Sequence, residues 1–210
     1  MKPIKLPVLA AGELQDCFER AAEEETDIKG RLFQDAQLDG WAGGPVTIKD
    51  CCFENCIFTD CVFDKIHFIQ VVFKNCDLSN VRLSRNSFFK VSLEQCKLLG
   101  TDFSQALLKE VQISQSILRY ATFLEASLQE CDWEGSDFSE TFFQETQWKK
   151  MTLSGCDFQK ADFTNAALGE LDLSRCLLAN AYFSLQDLKG VVISAEQAVL
   201  FAEMIGLKIK

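Results

Sequence analysis

From Ile48 to Ile193 every fifth residue is Phe, Leu, Ile or Trp, without a gap over 30 positions. The series opens Ile48, Phe53, Phe58, Phe63, Phe68, Phe73 and closes Leu168, Leu173, Leu178, Phe183, Leu188, Ile193. These four residue types make up 57 of the 210 residues, so a run of this length is not accidental. A period of five fits neither a 3.6-residue helix nor a long strand alternating in twos. It must be explained before any other feature of the chain.

A second rule accompanies the first. Two residues before each large position, 25 of the 30 slots hold Ala, Val, Cys, Ser or Thr; the exceptions are Ile66, Asn86, Met151, Leu171 and Gln186. Eight of the ten cysteines (Cys51, Cys56, Cys61, Cys76, Cys96, Cys131, Cys156 and Cys176) stand in this small slot. Asp recurs just before the large residue, Ser just after it, and Gly or Asn two after it. Two inward positions spaced by two are a short extended piece. The Gly or Asn that follows accepts a positive φ and turns a corner. Corners repeated in one sense wind the chain into an all-β solenoid, with coils ~4.8 Å apart and the large and small slots filling the axis. Thr26 to Gly40 keeps the same phase, centred on Ile28, Phe33 and Leu38, and Trp41 to Pro45 reads as a bulged corner or small loop.

Such a register explains the cysteines as small buried hydrophobes in a reducing, cytoplasmic setting rather than as metal ligands, and no C-x-x-C pair occurs among them. The one histidine, His67, falls in an outward slot. No glycine-rich phosphate loop or other catalytic motif is present, so no enzyme activity, cofactor or metal is expected. No apolar run is long enough to cross a membrane. The net charge of −10 argues against direct nucleic-acid binding, which needs a basic footprint.

The ends depart from the repeat. In residues 1–25, Leu14, Cys17, Phe18 and Ala21 are spaced for an amphipathic helix that caps the first coil of a rod spanning 26–195. Ser194 and Gln197 form a capping-box pattern. It opens a helix over 196–205, stopped by Gly206, and Leu207 to Lys210 alternates like a strand. This helix is apolar around its circumference. Val199, Leu200, Phe201, Met204, Ile205 and Leu207 are therefore expected to seal the last coil and to join two chains end to end in a homodimer. Ile57, Val62, Ile69 and Val72 fall in outward slots of the first coils and call for a cover, for which Ile4 to Leu9 or the capping helix is the candidate.

Pentads such as Ala161-Asp162-Phe163-Thr164-Asn165, Cys156-Asp157-Phe158-Gln159-Lys160 and Ser136-Asp137-Phe138-Ser139-Glu140 resemble the motif of the pentapeptide-repeat family. The resemblance implies a right-handed quadrilateral β-helix with four pentads per coil. Lys97 to Phe103, Trp148 to Lys150 and the tail Leu188 to Ala198 further resemble the Qnr and MfpA group within that family. That resemblance implies a homodimeric DNA mimic that binds DNA gyrase or topoisomerase IV and alters quinolone susceptibility. The unbroken phase leaves no room for the two loops that plasmid-borne Qnr proteins throw out, so inhibition fits as well as protection. A non-catalytic scaffold with another partner is the alternative. Between Val46 and Ala195 the net charge is −6, about a third of the roughly 21 charges that ~36 Å of duplex carries. The side centred on Phe53 is the most acidic. Its Glu94, Asp132, Glu134 and Asp172, with Asp137, Glu140 and Asp157 on the adjoining side, are the candidate partner contacts.

Overall fold

A computed structural model describes residues 3–204 and 206–208 of the chain. The chain winds into a parallel β-solenoid of about nine turns, roughly 43 Å long at ~4.8 Å per turn. Each residue pairs with the residue twenty further on, so a coil is four pentads. On the first side Ile28, Ile48, Phe68, Phe88, Leu108, Leu128 and Trp148 lie in one register. On the second, Phe33, Phe53, Phe73, Leu93, Ile113, Trp133 and Leu153 do the same. The third and fourth sides hold mostly single bridges, Ile57 to Asp77 to Lys97 and Val62 to Arg82 to Asp102, continuing up the rod.

The period of five becomes a corner every five residues. Twenty-four non-glycine residues have a positive φ, nearly all at the fifth pentad position; Gln115 is at 49° and Tyr120 at 62°. Most are Glu, Gln, Lys or Asp rather than Asn, so the preference for Gly and Asn read from the sequence covers only part of the rule. The left-handed conformation is held instead by the stack, in which most corner N–H groups donate to the coil above, as from Gln105 to the Leu124 carbonyl at 2.8 Å.

Large centres fill the axis in columns. Phe103, Phe123, Phe143, Phe163 and Phe183 stack at 4.8, 5.1, 5.1 and 4.9 Å between ring centroids, close to the coil spacing. The small slots are more than fillers. Cys131 Sγ donates to the carbonyls of Leu108, one coil back, and Gln129 at 3.5 and 3.4 Å. Thr101 and Thr141 hydroxyls donate to Leu78 and Leu118 at 2.8 and 2.9 Å. Asn86, an exception to the slot rule, obeys the same logic. Its amide donates to the Phe63 carbonyl at 3.0 Å, its oxygen accepts from the Ile66 N–H at 2.7 Å, and it is buried without an orphaned polar atom.

Residues 41–45 stay within the coil instead of forming a loop. Ala42–Gly43 pairs with Val62–Phe63. The two inward slots have exchanged sizes, with Trp41 in the small slot and Gly43 in the large one. The Trp41 ring occupies the space that Gly43 leaves, where a Cβ would lie 2.7 Å from Cζ2. The repeat loosens only near its end. Gly169 turns the corner one residue early, at φ 56°, and Leu185–Leu188 forms a short 3-10 turn that carries Gln186 to the surface. A small inward slot does not admit Gln, and the coil deforms to exclude it.

Both ends are sealed. Helix α1 (Leu14–Glu24) buries Leu14, Phe18 and Ala21, and the Phe18 ring meets Trp41 edge-on at 5.2 Å and Phe63 at 6.1 Å. Helix α2 (Ala195–Met204) opens on the expected capping box. Ser194 Oγ accepts the Gln197 N–H at 3.2 Å, and Gln197 Oε1 accepts the Ser194 N–H at 2.7 Å. Gln197 Nε2 then donates to the Leu173 and Cys176 carbonyls at 2.9 and 2.8 Å, closing backbone groups that a further coil would otherwise meet. Beyond α2, Leu207 and Lys208 form no strand, and Ile205, Ile209 and Lys210 lie outside the described residues.

Candidate partner-binding faces

Charge is modestly biased around the rod. On the first side one outward line runs Lys29, Lys49, Ile69, Phe89, Lys109, Gln129, Lys149 in continuous register. On the second side the corresponding line runs Gln34, Glu54, Lys74, Glu94, Ser114, Glu134, Ser154. Asp132 and Asp172 stand in the parallel line on the other flank of that side.

The seven candidate carboxylates are therefore spread over two sides, and their surroundings differ. Glu134 and Asp172 are exposed. Asp132 is half-buried, as is Glu94, which accepts a hydrogen bond from Ser92 Oγ at 2.9 Å. Asp137 and Asp157 are direct neighbours in successive coils. Glu140 accepts from Arg119 Nη2 at 3.2 Å and Tyr120 Oη at 3.4 Å, a half-exposed pair worth little in stability.

The recurrent Asp-x-Ser spacing proves to be local structure. Asp137 Oδ1 accepts the Ser139 N–H and hydroxyl at 2.9 and 2.6 Å, and Asp172 Oδ1 accepts those of Ser174 at the same distances. Asp77, Asp102, Asp157 and Asp162 accept the equivalent N–H two residues on. These hydrogen bonds from Ser174 hold the Asp172 carboxyl below the usual carboxylate range. One oxygen of each such aspartate is committed to its own turn, which the one-dimensional pattern did not disclose.

Of the residues expected at a chain-to-chain contact, Val199 and Leu207 are exposed and Leu200 is half-buried. Phe201 turns inward. Its ring lies 5.3 Å from that of Phe183 and continues the fourth-side column, so it belongs to the seal of this chain rather than to an outward face. The Met204 side chain and Ile205 lie outside the described residues.

His67 Nδ1 lies 2.6 Å from Ser87 Oγ on the exposed first side, its in-register neighbour one coil on. All ten cysteines are free, and all but Cys17 are buried. Burial pushes the thiols of Cys51 and Cys131 up to about 11 and about 12, so both are neutral in the axis at physiological pH. Among the described residues no helix is long and apolar enough to cross a membrane.

Two family models match the chain, one described as a pentapeptide repeat region over residues 46–123 and one as pentapeptide repeats of eight copies over 116–147 and 149–178. Together they span more than half of the sequence, and the twenty-residue register agrees with both. The chain belongs to the pentapeptide-repeat family. Among solved structures it is similar to a trypsin-treated variant of QnrB1, described as a plasmid-mediated fluoroquinolone resistance protein, at 21% identity and a TM-score of 0.47, covering 88% of this chain and 97% of that one. It is also similar to HetL, described as involved in heterocyst differentiation regulation, from the cyanobacterium Nostoc sp. strain PCC 7120, at 18% identity and a TM-score of 0.33, covering 80% and 89%. A thylakoid-lumen protein of Arabidopsis thaliana aligns at 20% identity and a TM-score of 0.27, covering 60% and 71%. No curated protein sequence matches the chain.

Proposed function

We propose that this rod is a cytoplasmic DNA mimic that binds DNA gyrase or topoisomerase IV through its acidic second side and the adjoining third side, and that it lowers quinolone susceptibility or inhibits the enzyme. The observation that carries the reading is the bias of charge around the rod. Between Val46 and Ala195 the second side carries Glu54, Glu94, Asp132, Glu134 and Asp172 against Lys74 and Arg175, a net of −3, whereas four lysines align along one outward line of the first. The resemblance of Lys97 to Phe103 and of the tail to the Qnr and MfpA group supports the same partner. An anionic rod presents fixed carboxylates where a duplex presents phosphates. Association should therefore weaken with salt, less steeply than for DNA because fewer charges take part.

The test is DNA supercoiling by purified gyrase, and decatenation by topoisomerase IV, at graded protein, with and without a quinolone. Glu134→Lys should weaken either effect and leave the fold intact, since its side chain is exposed and closes no turn. Inhibition without protection keeps the mimic and removes the resistance role. No effect on either enzyme defeats the reading. A scaffold for another protein is then favoured by the exposed aromatic pair Phe142 and Tyr182, 43% and 60% exposed and two coils apart on one line of the fourth side.

A further inference from the structure

Three outward-slot residues of the second side are buried: Cys52 at 5%, Val72 at 5% and Ser92 at 2% exposure. They stand directly above one another in successive coils. Higher on this line the outward positions open, half-buried at Gln112 and Asp132 and exposed at Thr152 and Asp172. Something lies across the first coils of the acidic side.

The N-terminal segment has the right position and length. Ala10–Ala11 pairs with Arg31–Leu32 and so sits beneath the first coil. Pro3, Ile4 and Lys5 share a surface cleft with Gln70, Lys90, Glu110 and Gln112, which belong to coils several turns higher, at and just beyond the corner between the first and second sides. From the level of Ala10 to that of Lys90 is about four coils, or ~19 Å. Six extended residues span ~20 Å. The segment must therefore run nearly straight along the rod axis. Its pattern fits this course, with Ile4, Leu6 and Leu9 half-buried while Lys5, Pro7 and Val8 face solvent. Pro3 and Pro7 favour an extended chain and need no ladder partner. Among the described residues, 3–9 make no backbone hydrogen bond to the rod, in contrast to Ala10 and Gly12, which donate to Gly30 and Leu32. No rung of the coil ladder depends on the segment, which can leave without breaking a coil.

We propose that residues 3–9 form an autoinhibitory strap that masks the lower half of the acidic second side and must be displaced before a macromolecular partner can use it. The proposal rests on the topoisomerase reading for the identity of that partner. It rests on the strap geometry alone for the masking. With the strap in place, the row Cys52, Val72, Ser92 is closed and Glu54 and Glu94 beside it are half-buried. With the strap away, the acidic side is continuous from the first coils to Asp172.

The test uses the full-length protein and a full-length variant, Ile4→Asp/Leu6→Asp/Leu9→Asp, whose strap cannot stay on an apolar row. A truncation lacking residues 2–9 is the second variant. Cys52 is a built-in reporter, and half-buried Cys17 serves as the internal standard. In the intact protein, burial and the Glu54 carboxylate push the Cys52 thiol up to about 11. Maleimide labelling located by peptide mass spectrometry should therefore be slow at Cys52 and accelerate ~10-fold or more in both variants. The concentration needed to alter gyrase supercoiling should fall ~3–10-fold, by the factor to which the strap lowers the competent population. Equal Cys52 labelling in all three proteins overturns the strap. Faster labelling with an unchanged or higher gyrase midpoint overturns autoinhibition. Faster labelling when no form affects either topoisomerase defeats the topoisomerase reading, and the inhibitory role with it.

Discussion

Replacing Phe123 by Ala tests whether the rod is held by its stacked columns. The ring is fully buried. It stacks on Phe103 at 4.8 Å and 9°, on Phe143 at 5.1 Å and 17°, and tilts against Trp133 at 5.7 Å. Deleting a buried phenyl costs ~3–5 kcal/mol through lost transfer energy and the cavity left behind. Two stacked contacts add ~0.5–1.5 kcal/mol each. The coils cannot close the gap, because Phe103 and Phe123 donate their N–H groups to Thr122 and Phe142, both at 2.7 Å, which fixes the spacing on either side. The expected loss therefore lies at the top of the usual range, about 5 kcal/mol. For a chain of this size each kcal/mol lowers Tm by ~2–4 °C, so calorimetry and far-ultraviolet dichroism should show a fall of about 10–20 °C. Phe123→Leu is the control. Leu83 fills the same column two coils below, and the expected cost is about 1–2 kcal/mol. A Phe123→Ala protein melting within ~4 °C of the parent, on the same scaling, would refute the claim that the backbone ladder holds the cavity open.

Gln197→Leu should cost ~2–3 kcal/mol and fray the last coil, because it removes the amide that closes the Leu173 and Cys176 carbonyls together with the capping box; hydrogen exchange at residues 173–178 should accelerate while the middle of the rod keeps its protection. Gln105→Gly should stabilise by ~0.5–1 kcal/mol, since Gln105 sits at φ 59°, and Gly100→Ala should destabilise by at least ~1 kcal/mol, because the new Cβ would stand 2.7 Å from Asn80 Oδ1 at φ 64°; chemical denaturation reads both, and equal midpoints would count against stored corner strain. Ser174→Ala should raise the Asp172 carboxyl toward its ordinary range. The native carboxyl is depressed, so its contribution is present above the unfolded pKa and is lost as pH falls through the folded one. A carbon-detected NMR titration whose Asp172 midpoint does not move in the variant would remove the Ser174 hydroxyl as the leading cause.

The fold was legible because each buried position answers to one local rule. Phe53, Leu93 and Trp133 are read as inward by their phase, and every centre from Ile48 to Leu178 occupies its predicted place in the core. The rule fails where two neighbouring slots trade. Trp41 and Gly43 look like loop chemistry, yet together they carry one large side chain and one absent one, the same content as a normal pentad in reverse order. A pattern that scores positions singly cannot see an exchange. Cysteine's abundance was legible as smallness. Its second property, a thiol that donates to a carbonyl one coil back, needed the coil length of twenty before Cys131 and Leu108 could be connected.

The candidate site was less legible because outward residues obey no packing rule, and their charge alone does not distinguish a turn from a contact. Asp137, Asp157 and Asp172 recur at one slot because each closes the backbone two residues on. That recurrence is evidence of local folding and would be present in a rod with no partner. Glu134 differs. It falls just after its centre, outside the Asp-x-Ser slot, and is exposed on a side where the aligned positions one coil above and below are Ser114 and Ser154. Placing a glutamate there gains the fold nothing visible, whereas an aspartate in the turn slot has a structural reason to exist. Charge that folding does not require is the better guide to function. By that criterion Glu134, with Glu54 and Glu94 on the same line, ranks above the turn aspartates as a contact. The Glu134→Lys single variant should therefore lose more binding than Asp157→Lys, although both remove one carboxylate and add one lysine.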